Sequence, residues 1–250
     1  MNDVLIINDL TKKYQNLQGE VVAIDKLSLN VKNEEFVAIV GPSGCGKSSL
    51  LSILCGIEDK TMGNFIFPDA TKNKLGYMLQ NDSLFPWLTI LDNCLIGLKV
   101  SKNLTDENIV YVKKLLGMYG LKDFMYDYPS NLSGGMRQRV ALIRTLAIMP
   151  DILLLDEPFS ALDYQTRLAV SDDVYQIIKK EHKTAIMVTH DLAEAISMAD
   201  RVVVLTNRPA KVKKIFEIKL TNRKNPIENR KCVEFSKYYE DIWKELDFHV

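Results

Sequence analysis

The stretch Gly41-Pro42-Ser43-Gly44-Cys45-Gly46-Lys47-Ser48-Ser49 constrains this chain more than any other. It follows the apolar run Phe36 to Val40 and precedes Leu50-Leu51-Ser52-Ile53-Leu54, which reads as the start of a helix. A strand, a glycine-rich turn and a helix start form a cradle for phosphate. Glycines at 41, 44 and 46 can take the positive φ values that turn successive backbone N–H groups inward. The helix adds unpaired N–H groups and the positive end of its dipole. Lys47 then faces the outer phosphates of a polyphosphate, and the Ser48 hydroxyl suits Mg2+.

Around that turn the chain alternates. Val4 to Ile7, Val21 to Ile24, Leu27 to Val31 and Phe36 to Val40 read as closely spaced strands, so the N-terminal part is β-rich. Tyr14 falls just after the first of them, as a partly buried loop aromatic. Further strands follow at Asn64 to Phe67 and Lys74 to Leu79, the latter running into Gln80. From Thr89 to Met149 the pattern is helical, with Ile109, Val112, Leu115 and Leu116 at helical spacing. Strand character returns at Ile152 to Leu155, Ala185 to Thr189 and Arg201 to Leu205, separated by helical stretches near 165–180 and 191–199. This predicts a parallel, doubly wound sheet with helices on both faces, and places Gly41, Asp156 and His190 together at the carboxyl ends of strands. The tail alternates at Val212, Ile215 and Ile218. A terminal helix follows, with Phe235, Tyr238, Tyr239, Ile242 and Leu246 along a stripe that reads as core packing.

Three further segments carry chemistry. Leu153-Leu154-Leu155-Asp156-Glu157-Pro158 is an apolar strand ending in two carboxylates, a costly arrangement unless a cation or a bonded partner compensates. Mg2+ between phosphate oxygens, Ser48 and Asp156 would compensate, leaving Glu157 to orient or deprotonate an attacking water. Leu132-Ser133-Gly134-Gly135-Met136 opens a helix and reads either as a second anion-binding terminus or as a capped helix. If the former, a second copy of the chain could use it to close over the first copy's nucleotide. His190 precedes Asp191, a candidate N-cap, and by itself is as compatible with a structural role as with a catalytic one; so is Gln80. His182 and His249 lie in polar surroundings and read as solvent-facing.

Composition excludes some classes. Lys+Arg and Asp+Glu both number 32, so bulk charge gives no reason to expect nucleic acid as a partner. No apolar run approaches the roughly 18 to 20 residues that span a bilayer, and the N-terminus shows no leader pattern. Cys45, Cys55, Cys94 and Cys232 lack C-x-x-C spacing and read as free thiols in a reducing compartment.

Taken in order, the glycine-rich loop, glutamine, L-S-G-G, L-L-L-D-E-P, S-A-L-D and histidine resemble the ATP-binding cassette ATPases. The resemblance runs from Tyr14 to about Leu205. It implies a phosphate-loop NTPase core of RecA-like α/β type, with an N-terminal antiparallel β subdomain and an inserted helical subdomain. The implied division is 1–88 with 150–222 for the ATP-binding core, 89–149 for the helical insertion and 223–250 for a helical tail. It implies that Tyr14 stacks on adenine and that Gly41 through Ser49, including Pro42, Ser43 and Cys45, hold the phosphates. Ser48, Gln80 and Asp156 would serve the metal, with Gln80 also near the lytic water. Glu157 matches the catalytic base, and His190 the switch histidine on the γ-phosphate. Ser133, Gly134 and Gly135 would contact the nucleotide of the opposite subunit, and Ser160-Ala161-Leu162-Asp163 would cross the dimer interface. Leu84 to Asn93 is similar to the import ATPases for nitrate, sulfonates and taurine. Met136 departs from the commoner glutamine, as members of that branch do.

The expectation is therefore an ATPase using ATP and Mg2+, paired with a second copy or a related subunit. It would sit on the cytoplasmic face of a membrane beneath separate permease subunits, served indirectly by an extracytoplasmic solute-binding protein. The alternatives are a cassette ATPase acting as a mechanical module without a transporter, and a regulatory subunit with little hydrolysis.

Overall fold

A computed structural model describes residues 2–17, 19–68, 74–160 and 162–246. Strand β1 (Asp3–Asn16) and strand β2 (Gly19–Lys32) form one long antiparallel hairpin, and β4 (Met62–Ile66) pairs with β1 on its other edge. The second sheet has the order β5-β6-β7-β3-β8-β9, with β3 (Phe36–Val40), β5 (Leu75–Met78), β6 (Ile152–Asp156), β7 (Thr184–Val188), β8 (Arg201–Leu205) and β9 (Val212–Glu217). Its first five strands are parallel neighbours, whereas β9 runs antiparallel to β8. The helices are α1 (Lys47–Leu54), α2 (Ile90–Val100), α3 (Asp106–Met118), α4 (Gly134–Ala147), α5 (Tyr164–Lys180), α6 (Leu192–Met198), α7 (Pro226–Asn229) and α8 (Val233–Glu245).

The parallel strands β3, β6 and β7 are buried along their whole length, as unbroken apolar strands covered on both faces must be. Side chains alternate between the faces. Phe36, Ala38, Val40, Leu153, Leu155, Ala185 and Met187 share a core with helices α2 to α6 and α8. Val37, Ile39, Ile152, Leu154, Ile186 and Val188 share the other core with α1 and the β1–β2 hairpin. Each fully buried aliphatic side chain here stabilises the fold by about 1.5–3 kcal/mol. Helices therefore lie on both faces as expected, with the second face covered by α1 together with the small antiparallel sheet.

Three local expectations need correction. The runs Val21 to Ile24 and Leu27 to Val31 are one strand, and Tyr14 lies within β1, opposite Val21, rather than in a loop. A shift of register near Leu10 and Lys12 bends the hairpin, which period-2 patterning does not reveal. In α8, Ile242 is buried and Phe235 and Tyr238 pack on the core, but Tyr239 stacks on Trp243 at the exposed side. His249 and Ala161 lie outside the described residues. No helix among the described residues is long and apolar enough to cross a membrane.

Candidate active site

The carboxyl ends of β3, β6 and β7 lie side by side, which brings the glycine-rich turn, the two carboxylates and His190 to one edge. Gly44 and Gly46 have φ of 70° and 122°, values that L side chains rarely adopt. At Gly46 a Cβ would also come within 3.0 Å of Ala23 O, so the close approach of the β2 hairpin requires glycine there. Gly41 has no such φ but is tightly surrounded by Cys45 Sγ and Leu205. The Cys45 thiol is buried, and burial pushes its pKa up; all four cysteines are free.

Lys47 opens α1 and is 6% exposed, yet its ammonium is satisfied: Nζ donates to Gly41 O at 2.8 Å and Pro42 O at 3.0 Å. The turn therefore holds its lysine by its own backbone. A cavity of about 320 Å³ opens beside it, at the small end of the range of small-molecule sites. Ser43, Gly44, Gly46, Lys47, Ser48 and Ser49 line it, together with Tyr14 and Glu157. The Tyr14 hydroxyl donates to Glu58 and shares a 2.9 Å hydrogen bond with Ser49 Oγ, while Lys12 Nζ stands 4.8 Å over its ring. Burial and the Glu58 contact raise the phenol's pKa.

Asp156, the last residue of β6, is 5% exposed. Ser48 Oγ donates to its Oδ1 at 3.1 Å and Tyr77 OH to its Oδ2 at 3.3 Å. Burial pushes the Asp156 carboxyl up despite these bonds, and pushes Tyr77 up to about 12. One hydroxyl and one buried carboxylate are a sparse oxygen set, the kind that suits Mg2+, which retains water and takes the rest of its shell from phosphates. Among the described residues no cluster of three or more acidic, histidine or cysteine side chains could hold a metal alone. A cation at Ser48 and Asp156 would also relieve the buried charge.

Glu157 sits just past the strand with φ of 44°, uncommon outside glycine, and its N–H donates to Val188 O at 2.9 Å. Its Oε2 meets two partners: Gln80 Nε2 donates to it at 3.1 Å, and His190 Nδ1 lies 3.2 Å away. Two of the residues expected at the sheet edge, Gln80 and His190, thus meet at one carboxylate oxygen. Pro42 O is occupied by Lys47, as described above.

Ser133, Gly134 and Gly135 do not line this cavity. Ser133 caps α4, its exposed Oγ accepting from Met136 N at 3.4 Å. Gly134 is half-buried with little near it, whereas a Cβ at Gly135 would come within 2.4 Å of Thr166 Cγ2, so α4 and α5 touch there. The capped-helix reading of this segment is what the structure shows, and Ser133 to Gly135 lie outside the lining of the chain's own small cavity. Ser160 Oγ donates to Glu157 O at 3.1 Å, and Asp163 caps α5 through Thr166 N.

The sequence pattern passed over several residues at this edge. Arg208 lines the cavity and its Nε donates to Gly44 O at 3.1 Å, from a turn between β8 and β9 with no phosphate-loop signal. Arg137 and Arg144 of α4 grip the segment after Gln80: Arg137 Nε donates to Asp82 Oδ2 at 2.9 Å, and Arg144 donates to Ser83 O and Asp82 O at 2.7 and 2.6 Å. Arginines on a helix face read only as a solvated surface. A larger cavity of about 970 Å³ lies away from the carboxylates, between β5 and α2, and is lined by Phe85, Ile96, Leu98 and Ile148 among others. Its wall is largely aliphatic, whereas the smaller cavity is lined by Lys47, three serines and the glycines of the turn.

A family model described as ABC transporter matches residues 24–160. The ABC transporter ATP-binding protein YtlC of Bacillus subtilis (strain 168) is 41% identical over 248 residues, covering 97% of this chain and 95% of that protein. The nitrate import ATP-binding protein NrtD of Synechocystis sp. is 36% identical over 250 residues, covering 95% and 93%. Among solved structures, the dimeric post-hydrolysis state of the ATP-binding cassette MJ0796 bound to ADP and Pi matches with a TM-score of 0.74 at 29% identity, covering 86% of this chain and 99% of that one. This chain belongs to the ABC transporter family, as an ATPase that works with ATP and Mg2+.

Proposed function

We propose that this chain powers the uptake of a small solute, of the nitrate, sulfonate or taurine kind, through separate membrane subunits. Relatives named for import that match nearly end to end support the solute class. The observation that carries the mechanism is the convergence of Gln80 and His190 on Glu157 Oε2 beside the Lys47 cavity.

In this reading Lys47 and the N–H groups of residues 41–49 hold the phosphates, and Tyr14 receives the adenine. Ser48 and Asp156, with Gln80 nearby, would hold Mg2+, which would supply the neutralisation of phosphate charge. Glu157 takes a proton from the attacking water at Oε2 while the water oxygen bonds to the γ-phosphorus. The bond to the bridging oxygen breaks, and ADP and phosphate leave with that proton passed to solvent. Gln80 orients the water. His190 donates to the γ-phosphate, where charge accumulates.

Ser133 to Gly135 lie outside the cavity of their own chain, so two copies would sandwich two ATP molecules, each helix end closing the other copy's site. The residues 1–88 with 150–222 act as the core, 89–149 as the arm carrying that helix end, and 223–250 as a tail. The groove at Phe85 and α2, next to the Gln80–Thr89 segment, takes a short helix of the membrane subunit, so closure of the pair is felt across the bilayer. The assembly lies on the cytoplasmic face.

Affinity purification of the tagged chain from membranes tests this. Expected is recovery with a membrane-spanning partner, and ATPase activity that rises with the transported solute and its binding protein. Recovery of a fully active enzyme with no membrane chain, or with ribosomes or nucleic acid, would favour the mechanical-module alternative.

A further inference from the structure

Arg167 stands outside the constellation just described and reaches two of its parts. It lies in the first turns of α5, where its backbone N–H donates to Asp163 O at 2.8 Å. Its guanidinium forks: Nη2 donates to Leu162 O at 3.0 Å and Nη1 to Asp191 Oδ2 at 3.3 Å. Leu162 belongs to the Ser160–Asp163 turn. Asp191 is the residue after His190 and caps α6.

The far end of this contact is tied down on every side. Asp191 Oδ1 accepts from Ala193 N and Glu194 N at 2.8 and 3.1 Å. Asp191 N donates to Thr189 Oγ1 at 3.0 Å, and Thr189 Oγ1 donates to the buried Glu194 Oε2 at 2.8 Å. His190 is therefore flanked by two residues held in one network, while its own ring is directed at Glu157. The near end is equally constrained, because Ser160 N and Oγ both donate to Glu157 O.

We propose that Arg167 is a positioning residue for ATP hydrolysis, which links the Ser160–Asp163 turn to the Thr189–Glu194 segment and so sets where His190 stands relative to Glu157. A guanidinium is planar and its donors have fixed directions, so it cannot follow Leu162 O without carrying Asp191 with it. The contact is also incomplete. Arg167 Nε is buried with no hydrogen-bond acceptor among the described residues, and faces Glu194 Oε1 at 3.8 Å. Closing by roughly 1 Å would bring that pair to hydrogen-bond distance. A second arrangement is thus within reach when the turn moves. The inference rests on the proposed role of His190 and on the turn's lying at the interface between two copies; it adds the residue through which the turn acts.

A double-mutant cycle on the full chain tests it, with single-turnover phosphate release as the readout and ATP affinity measured alongside. Arg167→Met is expected to lower the rate by about 10- to 100-fold, the cost of a small misplacement in an active site, with ATP affinity within about twofold. In a His190→Ala background the same substitution is expected to change the residual rate by less than about twofold. A loss in that background as large as in the wild type would overturn the coupling while leaving His190 in its role. Undiminished turnover of His190→Ala alone would instead remove the role of His190, and the proposal with it. Arg167→Lys covers the case of an unstable Arg167→Met. A lysine ammonium keeps the charge opposite Asp191 but lacks the planar fork whose separated donors fix Leu162 O and Asp191 relative to each other, so the rate falls while the melting temperature stays within a few degrees; a wild-type rate for Arg167→Lys overturns the proposal.

Discussion

His190 Nδ1 stands 3.2 Å from Glu157 Oε2, two side chains from the ends of neighbouring strands β7 and β6. The same oxygen accepts from Gln80 Nε2 at 3.1 Å, so the donors reach Glu157 from either side of its strand. The positive φ of Glu157 aims the carboxylate into this gap, and the backbone bond to Val188 O holds it there.

Replacing that carboxylate by an amide keeps the shape and removes the group proposed as the base. Glu157→Gln is expected to lower kcat by a factor of 100 or more, with ATP affinity within about threefold, and to accumulate a nucleotide-bound pair of subunits. Phosphate release and size-exclusion chromatography with ATP check this. Turnover near the wild-type rate would take Glu157 out of its role.

Lys47 makes two bonds that brace the turn and, in the proposed function, is the cation opposite the phosphates. Lys47→Ala removes both, so ATP affinity is expected to fall at least tenfold, about 1.4 kcal/mol or more. Isothermal titration reads this directly, and an unchanged Kd contradicts the assignment.

Burial pushes the Glu194 carboxyl up to about 7, helped by the nearby Asp191 charge and opposed by the Thr189 hydrogen bond and by Arg167 and Arg230. The folded chain then binds a proton that the unfolded chain releases near the ordinary glutamate value. That stabilisation is complete below the unfolded pKa and is lost as pH rises through about 7. From pH 5 to pH 8 the wild type is therefore expected to lose stability relative to Glu194→Gln, by about 3 kcal/mol at most. Urea titrations at the two pH values decide; parallel pH dependence of the two proteins would mean that Glu194 stays charged in the fold.

Asn93 is fully buried and folds the loop before α2 around itself. Its Oδ1 accepts from Phe85 N at 2.7 Å, and its Nδ2 donates to Phe85 O, Leu88 O and Thr89 O at 3.1, 3.1 and 3.0 Å. Asn93→Ala removes these side-chain bonds, while Phe85 O keeps Leu88 N and Thr89 O keeps the backbone N–H of residue 93; the loss of the partner of Phe85 N and of the bond to Leu88 O is expected to cost about 2–4 kcal/mol. Limited proteolysis should then cut first in residues 84–89. A loss under about 0.5 kcal/mol in denaturant unfolding would show that water replaces the amide.

Much of the site was legible before any fold was known, because its parts are local. A turn that must admit φ of 70° and 122° at Gly44 and Gly46 announces itself through glycine, and a buried strand through Leu153 to Leu155. Asp191 as a cap and the strand limits of Phe36–Val40 follow from the same short-range rules. Arg167, Arg208 and the Arg137–Arg144 grip on Asp82 were illegible. A long charged side chain looks alike whether it faces water or a carbonyl brought from elsewhere in the chain.

The sequence alone determined the phosphate turn, the acidic strand end and the alternation that makes a parallel sheet, since each is written in neighbouring residues and their backbone preferences. Only the tertiary structure decided that Tyr14 reaches the turn from a bent hairpin, that Gln80 and His190 meet at one oxygen, and that Ser133 does not line the cavity of its own chain. Those relations depend on strand order and on which face each helix covers, and no local pattern fixes either.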